Sequence, residues 1–247
     1  MIFFIVPYRD REQQMLFYER HMKRDILEGL VEGKDYEIMF IHQRDDRPFN
    51  RGGMKNIGFL IGKDKYPKIY KDSTFVFNDV DCMPFNKGYL NYMTGRGVVK
   101  HFYGVRDTLG GIVSINGDDF ERSNGFPNFW TWGLEDNVLL NRVKNIRLNI
   151  DRSKFHNLFD KNILHLMHGF NRDVLKEDVN RFVTGKIDGI IDIKNLRYEK
   201  VGSMYNIDNF ETGTRVPNNN DMSNHDVRKR LVKNPINKRI INMNIQR

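Results

Sequence analysis

Residues 124–137, Asn-Gly-Phe-Pro-Asn-Phe-Trp-Thr-Trp-Gly-Leu-Glu-Asp-Asn, crowd aromatic, chain-bending and acidic side chains into fourteen positions. Phe126, Phe129, Trp130 and Trp132 are too apolar for a plain surface loop, while Gly125, Pro127 and Gly133 are too disruptive for a regular element. The stretch predicts a shaped loop whose rings form a binding wall, with Glu135 and Asp136 held at its end. Rings that bury one face and leave an edge free suit sugars and other flat ligands. A carboxylate held against such a wall can be tuned to take a proton from a hydroxyl, an effect worth about 10²–10⁴ in rate. The competing reading makes the aromatics a core plug and the two acids the first turn of a helix, where the macrodipole favours them.

Three further groups could do chemistry. Asp79-Val-Asp81 follows an apolar run, and at the two-residue period of an extended chain both carboxylates point the same way. Hard divalent cations take such oxygen ligands, and a nucleoside diphosphate binds such a cation; a polar strand end is the plainer alternative. His165 and His168 stand three residues apart. Together with carboxylates they suit Mn²⁺ among other metals, although one packed and one exposed histidine fit the spacing equally. Arg9, Arg11 and Arg51 fall in loops at predicted strand ends, where a guanidinium fork suits phosphate and a solvated surface charge is the alternative.

The elements that must position these residues follow from the apolar runs. Strands are expected at 2–6, 36–42 and 74–77, a helix over 12–30, and a loop feeding a helix from 49. This strand–helix–strand–helix–strand order predicts an α/β domain with a parallel sheet. Ligands of such sheets sit at the carboxyl ends of the strands, where 7–11 and 79–81 fall. Further strands are expected at 98–105, 111–115, 189–193, 196–201 and 204–207, with helices over 136–143 and 173–182. A short strand or turn is expected at 163–168. From Thr212 the chain turns polar, Asn-rich and basic, which predicts a catalytic domain over 1–211 and a loosely packed extension over 212–247.

Composition narrows the field. With 247 residues, 39% hydrophobic and 12% aromatic, the chain can bury a real core. A net charge of +8 suggests anionic partners, or simply a solvated surface. A single cysteine, Cys82, excludes an intrachain disulfide. No apolar run is long enough to span a membrane and no secretory leader is evident, so a soluble, cytoplasmic protein is expected, with the Golgi lumen as the expectation for a fragment of a longer chain.

Taken in order, 6–11 (Val-Pro-Tyr-Arg-Asp-Arg), Phe49-Asn-Arg51, 56–59, 77–84, Gly110-Gly111, 124–128 and 130–136 (Trp-Thr-Trp-Gly-Leu-Glu-Asp) resemble the β-1,4-galactosyltransferase family, which includes the xylosylprotein galactosyltransferases. The resemblance runs from about residue 2 to about residue 170. It implies a GT-A-type glycosyltransferase fold, a Rossmann-like and mostly parallel central sheet flanked by helices. It also implies an inverting transfer of galactose from a UDP-sugar to a glycan hydroxyl, with Mn²⁺. By the same resemblance, Pro7, Tyr8, Arg9, Arg11, Phe49, Arg51, Asp79, Gly111 and Trp132 bind the nucleotide-sugar. Asp81, His165 and His168 ligate the metal, Glu135 binds acceptor or donor, Asp136 is the base, and 130–134 belong to a lid.

The pattern is broken in four places. Leu134 replaces a usual glycine, Thr108 stands where many members carry tyrosine, and the paired cysteines and the membrane anchor are absent. The smaller Thr108 opens the alternative of an N-acetylhexosamine donor (UDP-GalNAc or UDP-GlcNAc), and Leu134 that of a weakly catalytic sugar- or nucleotide-binding module. Nucleic acid, suggested only by charge and by the basic stretch 228–239, is not expected as the main partner.

Overall fold

The chain is buried almost from its start: strand β1 (Ile2–Tyr8) is buried along its whole length. Our structure is a computed structural model and describes residues 1–185, 187–229 and 231. Helix α1 (Glu12–His21) follows and runs on as a π-helical turn, Met22–Ile26, so the helix expected to reach residue 30 stops short. Then come β2 (Tyr36–Gln43), α2 (Arg51–Lys65), β3 (Thr74–Asn78), β4 (Cys82–Pro84), β5 (Val98–Gly104) and β6 (Ile112–Asn116). Helices α3 (Gly117–Arg122) and α4 (Glu135–Asn145) flank the aromatic stretch. They are followed by β7 (Asn149–Asp151), β8 (His156–Asn157), β9 (Ile163–His165), β10 (Asn171–Leu175) and α5 (Lys176–Thr184). Strands β11 (Lys194–Val201), β12 (Met204–Glu211) and β13 (Met222–Asp226) close the described chain.

The main sheet runs β11-β12-β2-β1-β3-β6-β5-β7, with β8 also on β5. Its centre is parallel, β1 lying between β2 and β3, and β12 joining β2 in parallel. Antiparallel pairs sit towards the edges, β11 on β12 and β6 between β3 and β5. Alternation along β1 splits the core. Phe3 and Ile5 pack in the cluster beneath α2 and α4, while Phe4, Val6 and Tyr8 join α1 on the opposite face. Helix α2 lies close to the sheet because Gly58 leaves room: a Cβ there would stand 2.4 Å from Ile5 Cγ2.

Three sequence expectations need correcting. Residues 171–175 are strand, and the helix expected from 173 starts only at Lys176. Residues 189–193 are no strand but a single 3₁₀ turn, Ile190–Asp192. The polar stretch expected to be loose from 212 includes a strand, β13, paired antiparallel along the whole of β10. Polar strands of this kind carry little hydrophobic alternation, so nothing local announces them.

Candidate active site

The carboxyl ends of β1, β2 and β3 meet where the connections diverge to either side of β1, the usual crevice of an open α/β sheet. Two cavities adjoin there. One, of about 550 Å³, is lined by Pro7, Arg9, Arg11, Pro48 and Phe49. The other, of about 180 Å³, is lined by Tyr103, Thr108, Gly110, Gly111, Asp136, Phe159, His165 and His168. Arg51, Asp79, Asp81, Trp132 and Arg172 line both and so mark the junction.

At that junction α2 and α4 deliver a knot of charge. Arg51, at the start of α2, donates to both oxygens of Asp79 at 2.5 Å, ion-pairs with Glu135, and reaches Asp136 Oδ2 at 3.4 Å. One turn further along the same face, Lys55 is buried and donates to Asp136 Oδ1 at 3.0 Å. Burial pulls the Arg51 guanidinium down, but Asp79, Asp136 and Glu135 together raise it well above its ordinary value. Burial alone would raise Asp79; Arg51 and Lys55 outweigh it and lower that carboxyl. In Glu135 burial wins, assisted by Asp136 and only partly opposed by Arg51, and the pKa rises.

Glycines shape the space around Asp136. At Gly110 a Cβ would lie 2.2 Å from Asp136 Oδ2, so only glycine leaves that oxygen approachable. Gly111 takes φ +75°, and a Cβ there would stand 2.3 Å from the Tyr103 carbonyl. Its own carbonyl accepts from the Asp79 amide at 3.0 Å, so Gly111 sets the position of Asp79 through the backbone.

Asp81 and His165 face each other across the end of the β4–β9 pair, Oδ2 and Nε2 being 3.9 Å apart. Tyr103 OH lies 2.7 Å from His165 Nδ1, and Phe159 stacks on the imidazole at 5.2 Å. Burial and then Asp79 push the Asp81 carboxyl up, which marks it as short of positive charge. Two atoms on one divalent ion, with bonds of about 2.1 Å, lie up to about 4.2 Å apart, so this pair fits a shared cation. His168 lines the same cavity but stands off. Among the described residues, no group of three or more His, Cys, Asp or Glu gathers within ligating reach.

At the larger cavity, Pro7 and Arg11 are on the wall as expected. Arg9 is also there, but its guanidinium is committed to the carbonyls of Gln43, Asp45 and Arg47 and lies over the Phe49 ring, which makes it a brace for 43–49. Tyr8 is a correction. The alternation that aims Pro7 at the cavity turns Tyr8 to the opposite face, where it packs edge-on against His42. Glu135 is a second. It is sealed behind Arg51 and accepts from the Gly133 amide, off both cavity walls.

The aromatic wall is the third. Phe126 and Phe129 are core residues, and Trp130 is buried between Phe210 and Arg47, reaching the larger cavity only at its edge. Trp132 alone is partly open. Segment 130–134 is packed down in this structure, and the two acids that follow it, Glu135 and Asp136, do begin a helix. Sequence reasoning missed Lys55, Tyr103 and Arg172. A lysine four residues after Arg51, in a run from 52 to 62 that is otherwise glycine and apolar residues apart from Asn56, was the available signal for the first.

Residues 1–93 match the family model described as the N-terminal region of glycosyl transferase group 7, and residues 97–169 match the one described as the N-terminal domain of galactosyltransferase. The chain belongs to the β-1,4-galactosyltransferase family. Among its relatives, the xylosylprotein 4-beta-galactosyltransferase of Caenorhabditis elegans is 29% identical over 208 residues, covering 78% of this chain and 69% of that protein. Human beta-1,4-galactosyltransferase 4 is 30% identical over 157 residues, which span 60% of this chain but only 44% of the human protein.

The catalytic domain of Drosophila beta1,4galactosyltransferase 7, solved with xylobiose, superposes with a TM-score of 0.63 at 24% identity, covering 83% of this chain and 92% of that one. A mutant of that enzyme with manganese, UDP-Gal and xylobiose gives 0.62 at 20% identity, with the same coverage. The fold is accordingly that of the GT-A galactosyltransferase catalytic domains.

Proposed function

We propose that this protein is an inverting, metal-dependent galactosyltransferase that moves galactose from UDP-galactose to a hydroxyl of a glycan acceptor, forming a β-linkage. The observation that carries the reading is the junction itself. A carboxylate with one approachable oxygen, Asp136, stands on the wall of the smaller cavity, which Asp81 and His165 also line and which adjoins an arginine-lined cavity sized for a nucleotide. Family membership and the metal and UDP-Gal bound by the Drosophila enzyme support it.

In this reading Pro7, Arg11 and Phe49 bind uridine and diphosphate, Arg9 keeps 43–49 in place, and Arg172 adds positive charge at the junction. Asp81 and His165, joined by His168, would hold Mn²⁺, which supplies charge neutralisation at the diphosphate leaving group. Asp136 is the base. Lys55 occupies Oδ1, while the contact of Oδ2 with Arg51 is long and weak, so Oδ2 is the atom that takes the acceptor proton. The hydroxyl then attacks the anomeric carbon from the face opposite UDP. Trp132 lines the passage between the two cavities, and Glu135 acts through Arg51, holding it against Asp79.

The catalytic unit is placed at 1–211, with 222–226 lending it a strand. Thr108 on the smaller cavity's wall keeps UDP-GalNAc and UDP-GlcNAc as alternative donors to be tested. Family membership favours a compartment of glycan assembly such as the Golgi lumen over the cytoplasm. Among the described residues no helix is long and apolar enough to cross a membrane.

The test is UDP release from UDP-galactose, UDP-GalNAc and UDP-GlcNAc with Mn²⁺. Each donor is offered with xylose, xylobiose, glucose or N-acetylglucosamine, beside Asp136→Asn. One donor should turn over, depend on the metal, and lose at least about 10²-fold in the variant. Turnover that survives Asp136→Asn unchanged would remove Asp136 from the chemistry.

A further inference from the structure

The polar segment 222–229 lies outside both matched family models and outside the range of the sequence resemblance, yet it reaches the cleft. Strand β13 pairs with β10 residue for residue, from Asn171 opposite Asp226 to Leu175 opposite Met222. A two-stranded ribbon is marginal by itself, and this one is anchored to the aromatic stretch. The Trp132 amide donates to the Asp173 carbonyl at 3.0 Å, and the Leu175 amide donates to the Thr131 hydroxyl at 2.8 Å.

From that ribbon His225 lays its ring on Trp132, with centroids 6.0 Å apart and planes 21° apart, while its Nε2 meets the Lys229 carbonyl at 3.1 Å. The segment reaches both cavities, Met222 at the start of the strand lining the larger and Val227, just past its end, the smaller. The Val227 amide donates to the Phe170 carbonyl at 2.9 Å, and the Arg228 guanidinium lies over the Phe170 ring, so the segment also holds the loop that follows His168. Further on, Leu231 packs with Phe129, Leu134 and Val138 and approaches Gly133.

We propose that 222–229, with Leu231, form a strap belonging to the catalytic cleft. His225 is a positioning residue that fixes the plane of Trp132, and Val227 walls the sugar end of the cleft. The ligand class concerned is a pyranose, taken as the donor's galactose or as the acceptor. Pyranoses present an apolar C–H face, which Trp132 and Val227 can cover while the junction charges take the hydroxyls. The proposal rests on the transferase reading for what crosses the cleft, not for where the strap lies.

The test uses the full chain and its His225→Ala, His225→Phe and Val227→Trp variants, each checked for an unchanged circular dichroism spectrum. UDP and UDP-galactose are titrated calorimetrically with MnCl₂, and transfer to xylobiose is assayed. Loss of the ring in His225→Ala should raise the xylobiose KM about fivefold while UDP affinity stays within about twofold, and His225→Phe should restore it. Val227→Trp should weaken UDP-galactose or xylobiose while sparing UDP.

Folded variants with unaltered xylobiose KM and unaltered UDP-galactose affinity would overturn the strap. A protein that binds UDP-galactose but transfers to no acceptor sinks the transferase reading alone. The strap then stands if His225→Ala and Val227→Trp weaken UDP-galactose relative to UDP, and falls if they do not. A protein that binds neither ligand sinks both.

Discussion

Lys55 concentrates the site's electrostatics in one side chain. Its ammonium is buried, 3.0 Å from Asp136 Oδ1, 3.9 Å from Asp79, and 4.4 Å above the Phe126 ring. Removing one partner of such a buried pair leaves the other charge uncompensated, typically at about 3–5 kcal/mol. Lys55→Met should therefore lower the unfolding free energy by several kcal/mol and reduce kcat/KM at least about tenfold. The double variant Lys55→Met with Asp136→Asn should be more stable than Lys55→Met alone; a denaturant-unfolding cycle checks the coupling.

Leu134 is a contest of two residue-scale terms. Its φ of +69° strains a leucine by about 1–2 kcal/mol, but its side chain is buried against Phe129 and Val138, where truncation costs about 2–5 kcal/mol. Burial wins, so Leu134→Gly is expected to destabilise by about 1–3 kcal/mol, read from a shift in the urea midpoint at constant slope, even though glycine is the residue that the family resemblance leads one to expect.

At the scale of elements, α2 is the lever, because it presents both Arg51 and Lys55. A cation at a helix N-terminus opposes the macrodipole, so the start of α2 needs support from elsewhere. Asn50 gives it: Oδ1 accepts from the Gly53 amide at 2.8 Å, Nδ2 donates to the Asn128 carbonyl at 3.1 Å, and the backbone amide donates to Gln43 Oε1. Asn50→Ala should cost about 2 kcal/mol from the lost cap and the unpaired buried carbonyl, with a matching fall in melting temperature and a loss of turnover as Arg51 drifts from Asp79.

This scale also shows what the sequence could reveal. β1, β2 and β3 were legible because uninterrupted apolar runs bounded by loops leave few alternatives. The motif order along 6–136 was legible because most of the motifs keep their place at a strand or helix end, with 56–59 inside α2. β10 and β13 were not, since Asn171-Arg-Asp and Ser223-Asn-His acquire strand geometry only from each other. Nor could local sequence show that Glu135 is sealed while its neighbour Asp136 is open. Successive residues at a helix start point about 100° apart, and which one meets the cavity depends on Arg51 arriving from another element.

At the scale of the whole molecule, one buried carboxylate ties the edge of the sheet to its centre. Glu37, on β2, accepts from Lys65 Nζ at 2.6 Å and Tyr66 OH at 2.7 Å at the end of α2, from Tyr205 OH at 2.6 Å on β12, and from Lys200 Nζ at 3.2 Å on β11. Burial by itself would raise this carboxyl. The bonds from Lys65, Tyr205, Tyr66 and Lys200 outweigh it and bring the pKa from 4.5 down to about 2.

The sign follows from linkage: a folded-state pKa below the unfolded one gives stability that is complete above the unfolded value and is lost as pH falls through the folded value. Glu37's contribution to the unfolding free energy should therefore hold steady above about pH 5 and decline between about pH 4.5 and 2, a slope that urea titrations of the native protein against Glu37→Gln at successive pH values would measure. Glu37→Gln should flatten that slope and lower stability at pH 7, because an amide cannot accept from four donors at once. The consequence extends to the cleft. Arg47 donates to the Phe210 carbonyl on β12 and ion-pairs with Asp45, whose carbonyl Arg9 grips. An edge loosened by protonation of Glu37 thus frees the 43–49 wall of the larger cavity. UDP affinity should fall with stability over the same acidic window in the native protein, and should be weaker and less pH-sensitive there in Glu37→Gln. Affinity that stays level while stability declines would separate the sheet edge from the nucleotide end of the cleft.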